Sequence, residues 1–450
     1  MGYQGQHRAR RAIVRGRPWI RYRPILRSYR RRHRASSRIG VTVGLILLGL
    51  AVLVPVAADQ LVPTGARGPA AHPKVPAGAQ SVAPGARTPT AERHRDPVRE
   101  FDLVATGDIL IHTALWEQAL AAGHGDGYDF RPMFRDIRPL LRRAALAICH
   151  LETPLGDGPP SSYPAFNTPT DLAEAIRWAG WDVCSTASNH SLDRGQDGVD
   201  ATAAALDSAG VRHAGSYRSA RDAGRIVMLE TNGVRIAFLA YTSWMNGIPS
   251  PNPWTVNLIS VPRIEADARK ARARGADLVI ANFHWGTEYR HETNEEQSVV
   301  AHDLLERHVV DLVIGQHVHV VQPIERIAGL FAVYGEGNLV SGMTRLESRD
   351  GLMAVIHVRA SDSRVAITGV DYIPTWVAHP GYVIEPAASR LSELAASGQG
   401  DGALATELRA SIERTVGIVG QTGRIHPIDT VSRGRGAPIP GTEPDGIARI

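Results

Sequence analysis

The chain has 450 residues, 43% of them apolar, which is enough to build a large core, and its 50 basic side chains against 45 acidic ones give a net charge of +5. Thirteen arginines and no acidic residue lie within residues 1–38, so the remainder sums to 5 − 13 = −8. With no basic patch interleaved with aromatics outside that segment, nucleic acid is excluded as a partner, and two cysteines do not make a disulfide-stapled scaffold.

Residues 1–38 read as a cytoplasmic Arg-rich segment. Residues 39–58 form an uncharged run of twenty, the length of a helix that crosses the hydrocarbon core. Arginines on its N-terminal side predict a single-pass, uncleaved anchor in the cell membrane with the C-terminal domain extracytoplasmic. Residues 59–99 are rich in Pro, Ala and Gly and read as a semi-extended tether.

From Phe101 the pattern becomes globular. Strands are expected at 101–105, 144–149, 181–185, 226–229, 234–241, 277–283, 311–314, 331–334, 352–358 and 365–372. Helices are expected through Leu140-Leu141 and over 171–178, 198–206, 263–273 and 295–308. Thr231-Asn232-Gly233 reads as a hairpin turn. Helix–strand alternation followed by a run of strands predicts an α/β fold of two mixed sheets with helices outside. The globular domain is expected over residues 100–378, a helical extension over 379–430 and a disordered tail over 431–450. Cys149 and Cys184, each near a strand end, read as small buried hydrophobes; a disulfide between neighbouring strand ends stays open if the domain is extracytoplasmic.

Five strands end in candidate ligands: Thr106-Gly107-Asp108, His150-Leu151-Glu152, Ser188-Asn189-His190, Phe283-His284-Trp285-Gly286 and Gly315-Gln316-His317-Val318-His319. Strand ends are where α/β folds place ligands and chemistry. In an extended segment His317 and His319, at i and i+2, point the same way. Carboxylate, amide and imidazole donors together suit Zn, Mn or Fe, and two divalent ions rather than one. Two such ions can clamp the attacking and leaving oxygens of a phosphoryl transfer, and Glu152 is the natural bridge between them.

These segments, with Asn189-His190-Ser191-Leu192-Asp193-Arg194-Gly195, His284-Trp285-Gly286-Thr287-Glu288-Tyr289, His317-Val318-His319-Val320-Val321-Gln322-Pro323 and Gly337-Asn338-Leu339-Val340, resemble the CapA family of poly-γ-glutamate capsule biosynthesis proteins. Tyr241-Thr242, Asn246-Gly247-Ile248-Pro249 and Asn294-Glu295-Glu296-Gln297 are similar to one branch of it. The resemblance spans residues 101–372 and implies a four-layer αββα sandwich of the calcineurin-like metallophosphoesterase type. It implies that Asp108 and His319 hold one metal, that Asn189, His284 and His317 hold the other, and that Glu152 bridges. His190 would be the acid or transition-state donor, oriented by Asp193. Substrate contacts are expected from His112, Asn167, Asn246, Glu288 and Asn338. The chain departs from the pattern at Leu110, where a second metal-binding His is usual, at Cys149-His150, and at Glu336. The function implied is metal-dependent hydrolysis or transfer in the synthesis of an anionic envelope polymer, with that polymer or its synthase complex as partner. A non-catalytic polymer-binding partner and a general extracellular phosphodiesterase are the alternative readings.

Overall fold

In a computed structural model the chain is described over residues 98–434. The expected cytoplasmic segment 1–38, the anchor 39–58, almost all of the tether and residues 435–450 of the tail lie outside the described residues. Among the described residues no helix is long and apolar enough to cross a membrane.

Fourteen strands are described: β1 (Arg99–Leu110), β2 (Leu146–Leu151), β3 (Val183–Ser185), β4 (Arg212–Ala214), β5 (Val227–Thr231), β6 (Val234–Thr242), β7 (Leu278–His284), β8 (Leu312–Gln316), β9 (Ile324–Ile327), β10 (Leu330–Val333), β11 (Asn338–Ser341), β12 (Asp350–Ser361), β13 (Arg364–Ala378) and β14 (Val383–Pro386). They form two mixed sheets. The larger runs β14-β13-β12-β1-β2-β3-β4, with β11 also paired to β1; the smaller runs β5-β6-β7-β8-β10-β9.

Both faces of the central strands are buried, which is why they read as continuous apolar runs. Along β1, Phe101, Leu103 and Ala105 enter a core that they share with Ile236, Phe238, Ile280 and Ile314 of the other sheet. Val104 and Ile109 face the opposite way, onto Leu115, Phe134, Leu172 and Ile176 of the flanking helices. On β7 and β8, Val279, Phe283 and Val313 pack outward against Ile264, Ala301 and Leu304. Two sheets thus face each other with helices on both outer sides, each fully buried Leu, Ile, Val or Phe contributing roughly 1.5–3 kcal/mol.

Local signals are met where the chemistry demands them. Asn232 and Gly233 take φ of 51° and 70° between β5 and β6, as a two-residue hairpin turn requires. Asn294 caps the helix Glu295–Glu306 in a reciprocal bond with Gln297. The resemblance motif Asn294-Glu295-Glu296-Gln297 therefore acts locally as a helix start. Residues 379–430, expected as a helical extension, also supply β14 to the large sheet, and the helices Ala387–Ala396 and Ala403–Val419 cover Trp376. Val431 is buried in the helix-side core, and the N–H groups of Ser432 and Arg433 donate to Asp102. Cys149 and Cys184, opposite one another on the parallel strands β2 and β3, form a disulfide within this core.

Candidate metal centre

The ends of β1, β2, β3, β7 and β8 lie side by side and deliver their last residues to one place. Asp108 sits where β1 changes partners: the register with β2 shifts between Ala105↔Ile148 and Asp108↔His150, and β11 joins it at Asp108↔Asn338. Gly107 is obligatory here, because a Cβ at that position would fall 2.0 Å from the carbonyl oxygen of Gly337. That close approach lets the Asp108 N–H donate to Gly337 O at 3.0 Å. Glu152 follows β2, Asn189 and His190 follow β3, His284 ends β7, and His317 and His319 follow β8.

Asp108, Glu152, Asn189, His284, His317 and His319 are all buried. Donor atoms of Asp108, Glu152 and His319 lie within 4.8 Å of one another, and so do those of Glu152, His284 and His317. Asn189 Oδ1 lies 2.8 Å from His284 Nε2. Glu152 is common to both of these groupings, and a further one, of Asp108, His150 and His284, runs across the two expected donor sets. Glu288, exposed at the rim, groups with His317 and His319.

The imidazoles of His317 and His319 do not converge by strand alternation. His317 has φ of 92° and His319 φ of 58°, so both occupy the left-handed region that non-glycine residues rarely adopt. A tight turn past the end of β8, not an extended i, i+2 pair, brings the two rings to a 5.7 Å centroid separation. Such strain persists only where surrounding contacts hold it. The His317 N–H is fixed on both oxygens of Asp108 at 3.3 Å, and His319 Nδ1 lies 3.0 Å from Asn338 Oδ1.

Unpartnered buried donors make the cluster compatible with a metal site. Both oxygens of Glu152 and Nδ1 of His317 are buried without a hydrogen-bond partner. Burial, reinforced by Asp108, Glu288 and Asp193, pushes Glu152 well above the usual carboxylate range, against the opposing charge of His319. Burial pushes His284 and His317 well down, helped by the neighbouring imidazoles. For His319, burial alone would lower the ring, but Glu152 and Asp108 outweigh it and raise it to about 9. Glu152 oxygens without a hydrogen-bond partner, beside the buried imidazoles of His284 and His317, are a poor hydrogen-bond network and a fitting donor set for divalent ions.

His190 and Asp193 stand beside this cluster. The imidazole Nδ1 is 2.7 Å from Asp193 Oδ2, which also accepts the Phe166 N–H at 2.8 Å. Phe166 packs edge-on between His190 and His112, with centroid distances of 4.7 and 5.5 Å. His112 stands at the N-cap position of the helix Thr113–Ala122 without a side-chain capping bond and takes the Gly342 N–H on Nδ1 at 3.2 Å, and burial pushes its imidazole down to about 4. Exposed Asn246 accepts from Asn189 Nδ2 at 3.2 Å, steering the Asn189 amide oxygen toward His284.

Two expected substrate contacts have other work. Asn167 donates its amide to the carbonyls of Asp157 and Pro159, closing the loop before it. Asn338 is fully buried behind His319 and donates to Ser348 O at 2.8 Å, so it orients that imidazole. Leu110 is buried and apolar, as its side chain dictates. Glu336 is accommodated by a buried amide chain: Asn282 donates to Gln316, and Gln316 Nε2 donates to Glu336 Oε2 at 2.8 Å. Burial raises Glu336 to about 8.

The ligand reading from sequence passed over His150. It lies on β2 opposite Asp108, its Nε2 2.9 Å from His284 Nδ1, and it groups with Asp108 and His284. The available signal was its spacing: His150 and Glu152 are two apart at a strand end and so share a face.

A family model described as bacterial capsule synthesis protein, PGA_cap, matches residues 102–343, more than half of the chain. The capsule biosynthesis protein CapA of Bacillus anthracis is 25% identical over 293 residues, covering 63% of this chain and 68% of that protein. The PGA biosynthesis protein CapA of Bacillus subtilis is 24% identical over 295 residues, 64% of this chain and 75% of that protein. A probable polyglutamine synthesis accessory protein of Mycobacterium tuberculosis is 28% identical over 172 residues, 35% of this chain and 44% of that protein. Among solved structures, a calcineurin-like phosphoesterase of Bacillus subtilis aligns with a TM-score of 0.43 and 15% identity, covering 70% of this chain and all of that one.

Proposed function

The chain belongs to the bacterial capsule synthesis protein family PGA_cap, and from that premise we propose that it is a membrane-anchored, extracytoplasmic hydrolase or transferase of metallophosphoesterase type acting on poly-γ-glutamate or a similar anionic envelope polymer. The observation that carries this reading is the pair of buried donor groupings that share Glu152, whose two carboxylate oxygens have no hydrogen-bond partner. Asp108 and His319 would hold one divalent ion, Asn189, His284 and His317 the other, and Glu152 would bridge. When bound, the ions would supply Lewis-acid polarisation of a phosphoryl or acyl oxygen.

The rest is the work of the chain's own side chains. Asp193 accepts the Nδ1 proton of His190 and fixes the tautomer, which leaves Nε2 as the nitrogen that exchanges a proton with substrate. Phe166 braces the ring edge-on and excludes water from one side. At the rim, the guanidinium of Arg345 lies 5.0 Å from the Tyr289 ring, and that ring is 6.0 Å from His319. A cation on an aromatic face at the mouth of the cluster fits an anionic substrate that approaches from that side. The buried disulfide supports an extracytoplasmic domain, since such bonds persist in oxidising compartments.

A second reading, a non-catalytic partner that binds polymer or supports a synthase complex, is favoured by Leu110, which places an apolar side chain where a ligand is usual. The two are separated by screening the purified full-length chain, loaded with Zn, Mn or Fe, against phosphoesters and γ-glutamyl oligomers. Turnover of either class that disappears in His190→Ala supports the enzyme. Metal binding with polymer affinity and no turnover supports the partner.

A further inference from the structure

His150 belongs to the buried cluster but to neither expected donor set. β2 carries it into register with Asp108 on one side and Ser185 on the other, and its side chain is completely buried. Its Nε2 lies 2.9 Å from His284 Nδ1, with the two rings 25° from parallel. His284 is thus engaged at both nitrogens: Nε2 faces Asn189 Oδ1 at 2.8 Å, and Nδ1 faces His150.

An imidazole that binds a cation must offer a bare nitrogen, which puts its proton on the other one. Asn189 Oδ1 can only accept, so without a cation Nε2 donates to it; a cation held between Asn189, Glu152 and His317 would take the Nε2 lone pair and put the proton of His284 on Nδ1, aimed at His150. Ligating histidines commonly donate that proton to a carboxylate or a backbone carbonyl, which holds the ring. Here the partner within hydrogen-bond distance of Nδ1 is His150, whose Nε2 also lies 3.7 Å from Asp108 Oδ1. The far nitrogen of His150, Nδ1, is buried without a partner, so no competing bond dictates its tautomer. Among the described residues His150 groups with Asp108 and His284 but with neither Glu152 nor His319, so direct ligation is the competing role that the test below separates from positioning.

We propose that His150 is a positioning residue, a neutral imidazole that accepts the Nδ1 proton of His284 and thereby fixes the orientation and tautomer in which His284 Nε2 meets the metal. This rests on the metal-site reading above. A neutral acceptor also leaves His284 less basic than a carboxylate would, and so leaves more of the ion's charge for substrate.

The test uses the purified full-length chain loaded with Co²⁺, measuring ions bound per chain, affinity by chelator competition and the visible Co²⁺ bands, with the thermal melt as a check of folding. His150→Phe fills the space without an acceptor, His150→Ala removes the acceptor without added volume, and His150→Gln restores an acceptor oxygen. The proposal predicts that Phe and Ala variants keep the wild-type number of ions, bind them about 10- to 100-fold more weakly and shift the Co²⁺ bands, while Gln recovers most of the affinity. Wild-type affinity and spectrum in both Phe and Ala variants would reduce His150 to packing and overturn it. Loss of an ion, as His317→Ala should give, would make His150 a ligand and overturn it equally. A wild-type chain that binds no Co²⁺ would remove the metal-site reading itself, and this inference with it.

Discussion

His190 Nδ1 lies 2.7 Å from Asp193 Oδ2, three residues on in the same turn, and the carboxylate is held in place by the Phe166 N–H. A ring tethered at Nδ1 can exchange protons only at Nε2. His190→Ala should therefore cut turnover about 10²- to 10⁴-fold with the bound metal unchanged. Asp193→Asn should give a smaller loss, because it disturbs only the tautomer and charge of the imidazole. Steady-state kinetics with elemental analysis of the same samples checks both, and metal loss in His190→Ala would show that this residue is a ligand instead.

Gly107→Ala tests how the first donor is placed. Its methyl group would meet the backbone oxygen of Gly337 at 2.0 Å, which cannot swing aside as a side chain could, so β1 and β11 must separate at Asp108. The expected result is loss of metal and a destabilisation of about 1–3 kcal/mol, typical of overpacking. Equilibrium urea unfolding and metal content read the two effects.

Much of this arrangement was legible before any coordinates. The apolar runs of β7 and β8 have the length and flanks of buried strands, and Asn232-Gly233 announces its turn. All six expected ligands come from strand ends because the sequence places a polar residue where each apolar run stops. His150 was passed over although its spacing to Glu152 was readable, since a residue near a strand end reads as pleat until its neighbour across the cluster, His284, is known. The turn at His317 and His319 was misjudged for a related reason: left-handed backbone at a histidine is set by tertiary contacts to Asp108 and Asn338, not by local preference. Asn167 and Asn338 looked like substrate contacts because an amide beside a motif carries no sign of which way it faces. The Cys149–Cys184 bond depends on the β2–β3 register, which spacing along the chain does not reveal.

That disulfide closes a loop of 35 residues beside two of the strand ends that carry ligands. On the chain-entropy account it contributes about 3–4 kcal/mol. A Cys149→Ala/Cys184→Ala variant should lose roughly that much in urea unfolding, and reductant should destabilise the wild type while leaving the variant unchanged.

His357 gives a pH dependence remote from the candidate site. Its Nδ1 is 2.7 Å from Asp102 and its Nε2 2.8 Å from Asp371, two carboxylates that also accept backbone N–H groups of residues 426, 432 and 433. Burial alone would lower the ring, but the hydrogen bonds and charges of Asp102 and Asp371 raise it to about 9. A raised folded-state value means that the stabilisation is complete below the ordinary histidine range near 6.5 and is lost as pH climbs through about 9. Unfolding free energy of the wild type should fall by about 1–2 kcal/mol across that window relative to His357→Gln. Parallel pH profiles for the two proteins would count against the pairing.

The central claim is that the buried residues around Glu152 form a two-ion centre. Elemental analysis of the full-length chain, purified without chelator and then dialysed against Zn, Mn or Fe, tests it most directly. Two tightly held divalent ions per chain are expected, with at least one lost in Glu152→Gln and in His317→Ala and a higher wild-type melting temperature in the loaded form. A correctly folded wild-type chain that retains no divalent ion, and whose melting temperature none of the three metals raises, would contradict it.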